Sequence, residues 1–359
     1  MGQIPPRAKR KPELSIANVA FCLLVIFIHV SSEPITSLNT HTAEYGVIFI
    51  LWHFASLAVP GFIFLSGLKF FLNMPEKFSY KHFYLMRFIR IVIPYIIFNI
   101  LYYLYFIAMG YFPFALGDLV KYILDGSLVA PFYFIVVIVQ FYALAPLWIR
   151  LVKRANAAAV LVFSAIITLF LKLYLPDIVS MIFPGAPDGY ISSIFPSYLF
   201  YWLFGCYAGL HYEKFKSDVL KNRLLITVVF CIVTAADAAF SYIDSAGLRP
   251  VAFLDDIHYL FCISAVIFAY TASLSIYRSR ELKNRLVIAT DRASYYIFLL
   301  HSLLIFIVNE LMTRFGLTSI SLRYLIRIIV VYVLSILICI AIRFIIQLPR
   351  QLLSRKRKA

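Results

Sequence analysis

His29 stands near the end of a long apolar run, in the segment Ile28-His29-Val30-Ser31-Ser32-Glu33-Pro34. An imidazole exchanges protons near neutral pH, so a histidine facing a cavity is a candidate general base. Glu33 follows four residues later and shares a helix face with His29 if the helix continues that far. A carboxylate there would orient the ring and raise its basicity. Pro34 works against this geometry, because the residue before a proline is biased away from helical dihedrals. The plainer reading of His29 is an interfacial histidine that is simply hydrated.

A second pattern is Arg87-Phe88-Ile89-Arg90, at the start of another apolar run. Arginines at i and i+3 lie on one helix face. At a helix N-terminus they would join backbone N–H donors and a favourable dipole, and guanidinium forks suit phosphate. Arg87 is also what a basic membrane anchor looks like, but Arg90 lies a turn deeper. His301 sits inside a third run, Tyr295-Tyr296-Ile297-Phe298-Leu299-Leu300-His301-Ser302, where a hydrogen-bonded core histidine is the ordinary alternative. His53 could face the same cavity as His29. Asp255, Asp256 and His258 form a polar helix start that could meet a hydroxylated substrate or merely be solvated. Gln140, Lys172, Asp237, Glu310 and Arg327 are scattered through apolar sequence, and nothing in their spacing shows how they pair.

The elements that must position these residues follow from composition. The 359 residues are 63% apolar and 14% charged, with a mean hydropathy of +0.89. Soluble domains carry about 45–50% apolar and about 25% charged residues. The imbalance excludes a disordered chain, a disulfide scaffold and a fibrous repeat, and leaves too little polar surface for a soluble globule. Ten apolar runs approach the roughly 20 residues that cross a bilayer core: 14–31, 47–72, 87–109, 131–151, 157–175, 194–212, 224–242, 257–277, 288–311 and 323–346. Their continuity favours helices over barrel strands. The chain therefore reads as an all-α integral membrane protein of about ten transmembrane helices. A basic tail (1–13) precedes the membrane domain (14–346), and a second basic tail (347–359) follows it. The first run reads as a retained span rather than a cleaved signal, because no small-x-small site follows it.

The net charge of +16 suggests nucleic acid until the charges are placed. Ten spans divide the connections into two sets. One set, which includes both tails, carries twenty-four of the 33 Lys and Arg; the other carries Lys121, Arg249, Arg314 and Arg323. The positive-inside rule then places both termini in the cytoplasm. Topology and anionic headgroups account for the charge, with no nucleic-acid partner required. The five cysteines lie in apolar runs without C-x-x-C pairs, and no His or Cys stands at metal-ligand spacing, so no metal is expected.

Together these residues resemble the membrane-bound acyltransferase-3 family. The resemblance rests on His29 at the end of the first span, and on Val59-Pro60-Gly61-Phe62-Ile63-Phe64-Leu65-Ser66-Gly67 in the second. It includes Arg87-x-x-Arg90 followed by Ile93-Pro94-Tyr95, and Pro131-Phe132-Tyr133-Phe134 with Gln140-Phe141-Tyr142-Ala143-Leu144-Ala145-Pro146. It ends with Tyr296-Ile297-Phe298-Leu299-Leu300-His301. Two positions depart from the pattern. Ala17-Asn18-Val19 stands where an arginine is usual, eleven residues before the histidine, and Tyr133-Phe134 replaces a Trp-Phe pair. The chain also resembles the branch that modifies polysaccharide intercellular adhesin.

The resemblance implies an enzyme of the bacterial plasma membrane. It would move an acetyl or succinyl group from cytoplasmic acyl-CoA, its donor substrate, to a hydroxyl of an extracytoplasmic glycan. His29 would act as base with Glu33 beside it, while Arg87, Arg90 and His301 would serve the acyl-CoA. Ser66 and Gly67 would allow close helix approach. About 22 Å of helix rise precedes His29, so the donor arm must reach on the order of 20 Å from the arginines. The alternative is an exporter of a polysaccharide or lipid-linked glycan, but no inverted repeat relates the two halves. Oligomeric state is not encoded in composition, because lipid-facing and partner-facing helix surfaces look alike.

Overall fold

A computed structural model describes residues 11–182, 191–279 and 285–356, with side chains placed through Ile345 except at 191, 278 and 279. Most of the first basic tail falls outside the described residues, whereas 347–356 of the second continue the last helix. Everything described is helical or connecting chain: α1 (Pro12–Val30), α2 (Ser32–Ser37), α3 (Ala43–Ala55), α4 (Ala58–Leu72), α5 (Tyr80–Arg87), α6 (Ile93–Ala108), α7 (Leu116–Asp125), α8 (Tyr133–Ala143), α9 (Ala145–Arg154), α10 (Ala157–Ile182), α11 (Leu199–Leu210), α12 (Tyr212–Lys221), α13 (Arg223–Ser245), α14 (Leu254–Ser279), α15 (Arg285–Arg314) and α16 (Ile320–Lys356). A π-helical stretch, Phe88–Val92, joins α5 to α6 without a break.

Eight helices, some of them consecutive helices joined at a short break, are long and apolar enough among the described residues to cross a membrane. A ninth is possible if α7 and the 130–143 segment, bent by 54°, form one broken span. The apolar runs number ten. The runs 157–175 and 224–242 are both present among the eight, in α10 with Lys172 and in α13 with Asp237. The expected span 131–151 is divided at Leu144, where Pro146 starts the basic-ended α9. Within the expected span 194–212 the main α-helix, α11, has only twelve residues and follows a 3₁₀ turn around Pro196. Proline starts a helix readily but cannot continue one, so Pro146 and Pro196 set the new boundaries.

The short α11 packs at backbone distance on α4. A Cβ placed on Gly205 would lie 2.1 Å from the Phe64 carbonyl oxygen, and one on Gly209 would lie 2.3 Å from that of Leu68. Gly67 faces back, with its would-be Cβ 2.4 Å from the Trp202 carbonyl oxygen. Small residues four apart let helices approach this closely in lipid, where no hydrophobic force drives them together. Gly67 is thus used for close approach, as its setting in the sequence suggested.

Helix α1 is the axis of the fold. One stripe, Leu14, Ala17, Phe21 and Val25, enters the large aromatic core around α4, α11 and α14. Another stripe, Cys22, Ile26 and Val30, enters a second core with α15 and α16. Its start is held by Glu13, which accepts from Tyr212 Oη at 2.7 Å and from Lys216 Nζ at 3.3 Å. Asn18 and His29 are eleven residues apart, close to three full turns, so they share one face about 16 Å apart along the axis.

Candidate functional site

His29 lines a cavity of about 440 Å³ with Ser56, Tyr133, Lys172, Tyr198, His258 and Cys262. Among the described residues no protein hydrogen bond engages its ring. His301 is brought beside it, with ring centroids 5.2 Å apart. His301 is fully buried and lines neither this cavity nor the one at Arg90. Its Nδ1 lies 3.2 Å from the Ile297 carbonyl oxygen, and Ser302 Oγ lies 3.2 Å from its Nε2. A carbonyl only accepts, so this network assigns the proton to Nδ1 and leaves Nε2 to accept from Ser302.

Glu33 is placed away from the role of orienting His29. The chain restarts as α2 at Ser32, whose Oγ donates to the His29 carbonyl at 2.9 Å. The Glu33 carboxylate accepts instead from Arg323 Nε at 3.1 Å and from Arg327. Arg327 is 0% exposed, and Asn309 Oδ1 takes another of its N–H groups at 3.2 Å. Glu33 therefore clamps α16 against the end of α1. Glu310 pairs with Arg314 one turn on.

The two arginines of the R-x-x-R pattern part company. Ser79 caps α5 by accepting from the His82 N–H, so the helix starts about two turns before Arg87. The arginines consequently lie inside a continuous helix, and the expected N-terminal anion site is not formed by their backbone. Arg87 stacks over the rings of Tyr142 and Phe83, at 4.3 and 5.1 Å. Arg90 lies in the π-helical stretch, where Pro94 cannot donate to the fourth carbonyl before it. Tyr295 Oη donates to the Ile91 carbonyl in that stretch at 2.7 Å.

Arg90 opens onto a second cavity of about 260 Å³, with Asn18, Ser66, Tyr142, Ser294 and Tyr295. Asn18 donates to Asp291 and Ser294, both at 2.8 Å, and accepts from Lys69 Nζ at 3.2 Å. Sequence reading missed Lys69, whose place in an apolar helix was the available signal. It delivers a cation to the position where the resemblance lacked an arginine. The two cavities share Phe134 and Phe298, whose ring centroids are 5.3 Å apart. Asn18 lines one and His29 the other, on the same face of α1, and the Phe134–Phe298 ring pair stands between the two cavities.

The scattered polar residues also find places. Gln140 fixes the 191–198 segment, donating to the Ser193 carbonyl at 2.9 Å and accepting from the Phe195 N–H at 2.8 Å. Lys172 pairs with Asp255 at 3.3 Å. His53, Asp237 and His258 converge from α3, α13 and α14, with His53 Nε2 2.6 Å from Asp237 Oδ2. Only His258 of the three lines the larger cavity; His53 stands behind it.

A family model for an acyltransferase domain matches residues 16–344. Curated proteins of Staphylococcus aureus strains MSSA476, MRSA252 and N315 are similar to the chain, at 26% identity over 241 residues. Each is described as a probable poly-beta-1,6-N-acetyl-D-glucosamine export protein. The match spans 63% of this chain and 64% of each relative. No solved structure matches.

Proposed function

Since the chain belongs to the acyltransferase-3 family, we propose that it transfers an acyl group, acetyl or succinyl, from cytoplasmic acyl-CoA to a hydroxyl of an extracytoplasmic glycan. In this reading both termini face the cytoplasm of a bacterial plasma membrane. The observation that carries it is the pair of cavities on one face of α1, one holding Arg90 and the other His29, meeting at Phe134 and Phe298. A donor with an anionic head and a long thin arm suits two cavities so arranged. Guanidinium and ammonium groups at Arg90 and Lys69 take the phosphates. The Phe134 and Phe298 rings, in contact at 5.3 Å, must part for the arm to bring the thioester to the larger cavity. Arg87 supports Tyr142, which lines the Arg90 cavity.

His29 takes the proton of the acceptor hydroxyl as its oxygen attacks the thioester carbonyl. The tetrahedral intermediate collapses with cleavage of the C–S bond, and the imidazolium returns the proton to the departing thiolate. His301 holds the His29 ring rather than touching the donor. Glu33 keeps the outer end of the bundle closed through Arg323 and Arg327.

Membranes carrying the chain, given acetyl- or succinyl-CoA labelled in the acyl group, transfer label to an external polymer, and His29→Ala membranes with the same amount of protein do not. Equal labelling by both would overturn the base assignment. Export of a glycan is the second reading, supported by the description of the staphylococcal relatives. It predicts polymer outside the cell that depends on the chain but carries no chain-dependent acyl mass.

A further inference from the structure

The convergence of His53, Asp237 and His258 has no part in the proposed transfer. His258 Nδ1 lies 3.2 Å from His53 Nε2 and 3.3 Å from Asp237 Oδ2, and the last two atoms are 2.6 Å apart. Protons satisfy this triangle poorly. A ring nitrogen carries one proton or one lone pair, yet His53 Nε2 faces Asp237, His258 and, at 3.0 Å, Ser241 Oγ. Asp237 is 1% exposed, and its Oδ1 has no hydrogen-bond partner among the described residues. A buried carboxylate with an unmet oxygen is costly unless it is paired or coordinates a metal.

A cation answers these demands together. Tetrahedral zinc with bonds of about 2.0–2.1 Å places its ligand atoms roughly 3.3 Å from one another. Two of the three edges already have that length. Two imidazole nitrogens and one carboxylate oxygen form a donor set suited to zinc-class ions rather than to calcium or magnesium. Three protein ligands leave a fourth position, and His258 is the ligand that borders the His29 cavity.

We propose that His53, Asp237 and His258 bind one divalent transition-metal ion of the zinc class, with an open coordination position toward the His29 cavity. That position takes a water or an oxygen of the molecule occupying the cavity. The site stands on its own geometry and does not depend on the acyl-transfer reading. It also departs from the expectation of no metal. The donors are 184 and 21 residues apart in the chain, so no local spacing could display them.

The test uses the full chain in detergent, without a histidine tag, stripped with chelator and titrated with Co²⁺. The expected result is visible absorption of a tetrahedral site, saturating at about one ion per chain and displaced by Zn²⁺. Asp237→Asn and His258→Gln weaken binding by more than about tenfold, whereas His29→Gln leaves it unchanged. Zn²⁺ but not Mg²⁺ raises the Tm of the wild-type chain, a readout that needs no variant to fold. Absence of both the absorption and the Tm shift in the wild type would overturn the proposal. So would undiminished binding by a folded Asp237→Asn, His258→Gln double variant.

Discussion

The rings of His29 and His301 lie 5.2 Å apart, although 272 positions separate them in sequence. Only His29 reaches the cavity; His301 is fully buried behind it, with its proton directed to the Ile297 carbonyl. The two histidines therefore have different consequences when removed. His29→Ala is expected to lower kcat for acyl transfer by at least about 10²-fold, the usual scale of a lost general base. His301→Phe keeps the packing against His29 and is expected to lower kcat only about tenfold, with KM for acyl-CoA unchanged. Steady-state kinetics on both variants checks this. A raised KM in the His301 variant would return that residue to donor binding.

The bond between Glu33 and Arg327 makes a separate prediction. Glu33→Gln strands a fully buried guanidinium, and breaking such a pair costs about 3 kcal/mol or more. Thermal unfolding in detergent should show a clear loss of Tm. Protein that remains folded should keep its activity, since Glu33 does not orient His29. Adding Arg327→Met removes the stranded charge and should recover part of the lost Tm. A folded Glu33→Gln protein without activity would restore a catalytic role to this carboxylate.

The contact between α4 and α11 is tested by adding one carbon. Gly205→Ala drives a Cβ to 2.1 Å from a backbone oxygen, and backbone cannot swing aside as a side chain does. The expected cost is about 3 kcal/mol, read as a lower Tm or failed insertion. Gly117→Ala is the control. It lies in a helix with open space around the new carbon, so it should be neutral or stabilising by up to about 1 kcal/mol.

How far these relationships could be read from sequence follows from their range along the chain. The apolar runs are local, so eight of the spans were visible in hydropathy. Pro146 and Pro196 lie inside equally apolar sequence, so hydropathy alone did not show where those two runs break. Ser79 offered a readable helix cap, but Lys81 and His82 masked the early start of α5 from a hydropathy scan. His29 and Arg90 stood out because each is a polar group in apolar surroundings. The pairings of other polar groups did not. Arg327 meets Glu33 across 294 positions, and Lys69 meets Asn18 across 51. Such contacts depend on how helices pack, which no short spacing records.

Arg90 and Arg87 look equivalent as a motif but should fail differently. Arg90 borders the smaller cavity, whereas Arg87 is held over Tyr142 and Phe83. A guanidinium bound to phosphate contributes equally to the ground and transition states, because the phosphates lie far from the reacting carbonyl. Its removal therefore acts on KM and spares kcat. Arg90→Ala is expected to raise KM for acyl-CoA about tenfold or more, in line with the loss of one charged hydrogen bond. Arg90→Lys should restore much of that affinity. Arg87→Ala removes a cation stacked on two rings and should act mainly through stability, by about 1 kcal/mol. Kinetics with acyl-CoA and with a shortened donor lacking the nucleotide separate the cases. The Arg90 defect disappears with the shortened donor, because that donor never used the arginine. A defect of equal size with both donors would place the phosphates elsewhere.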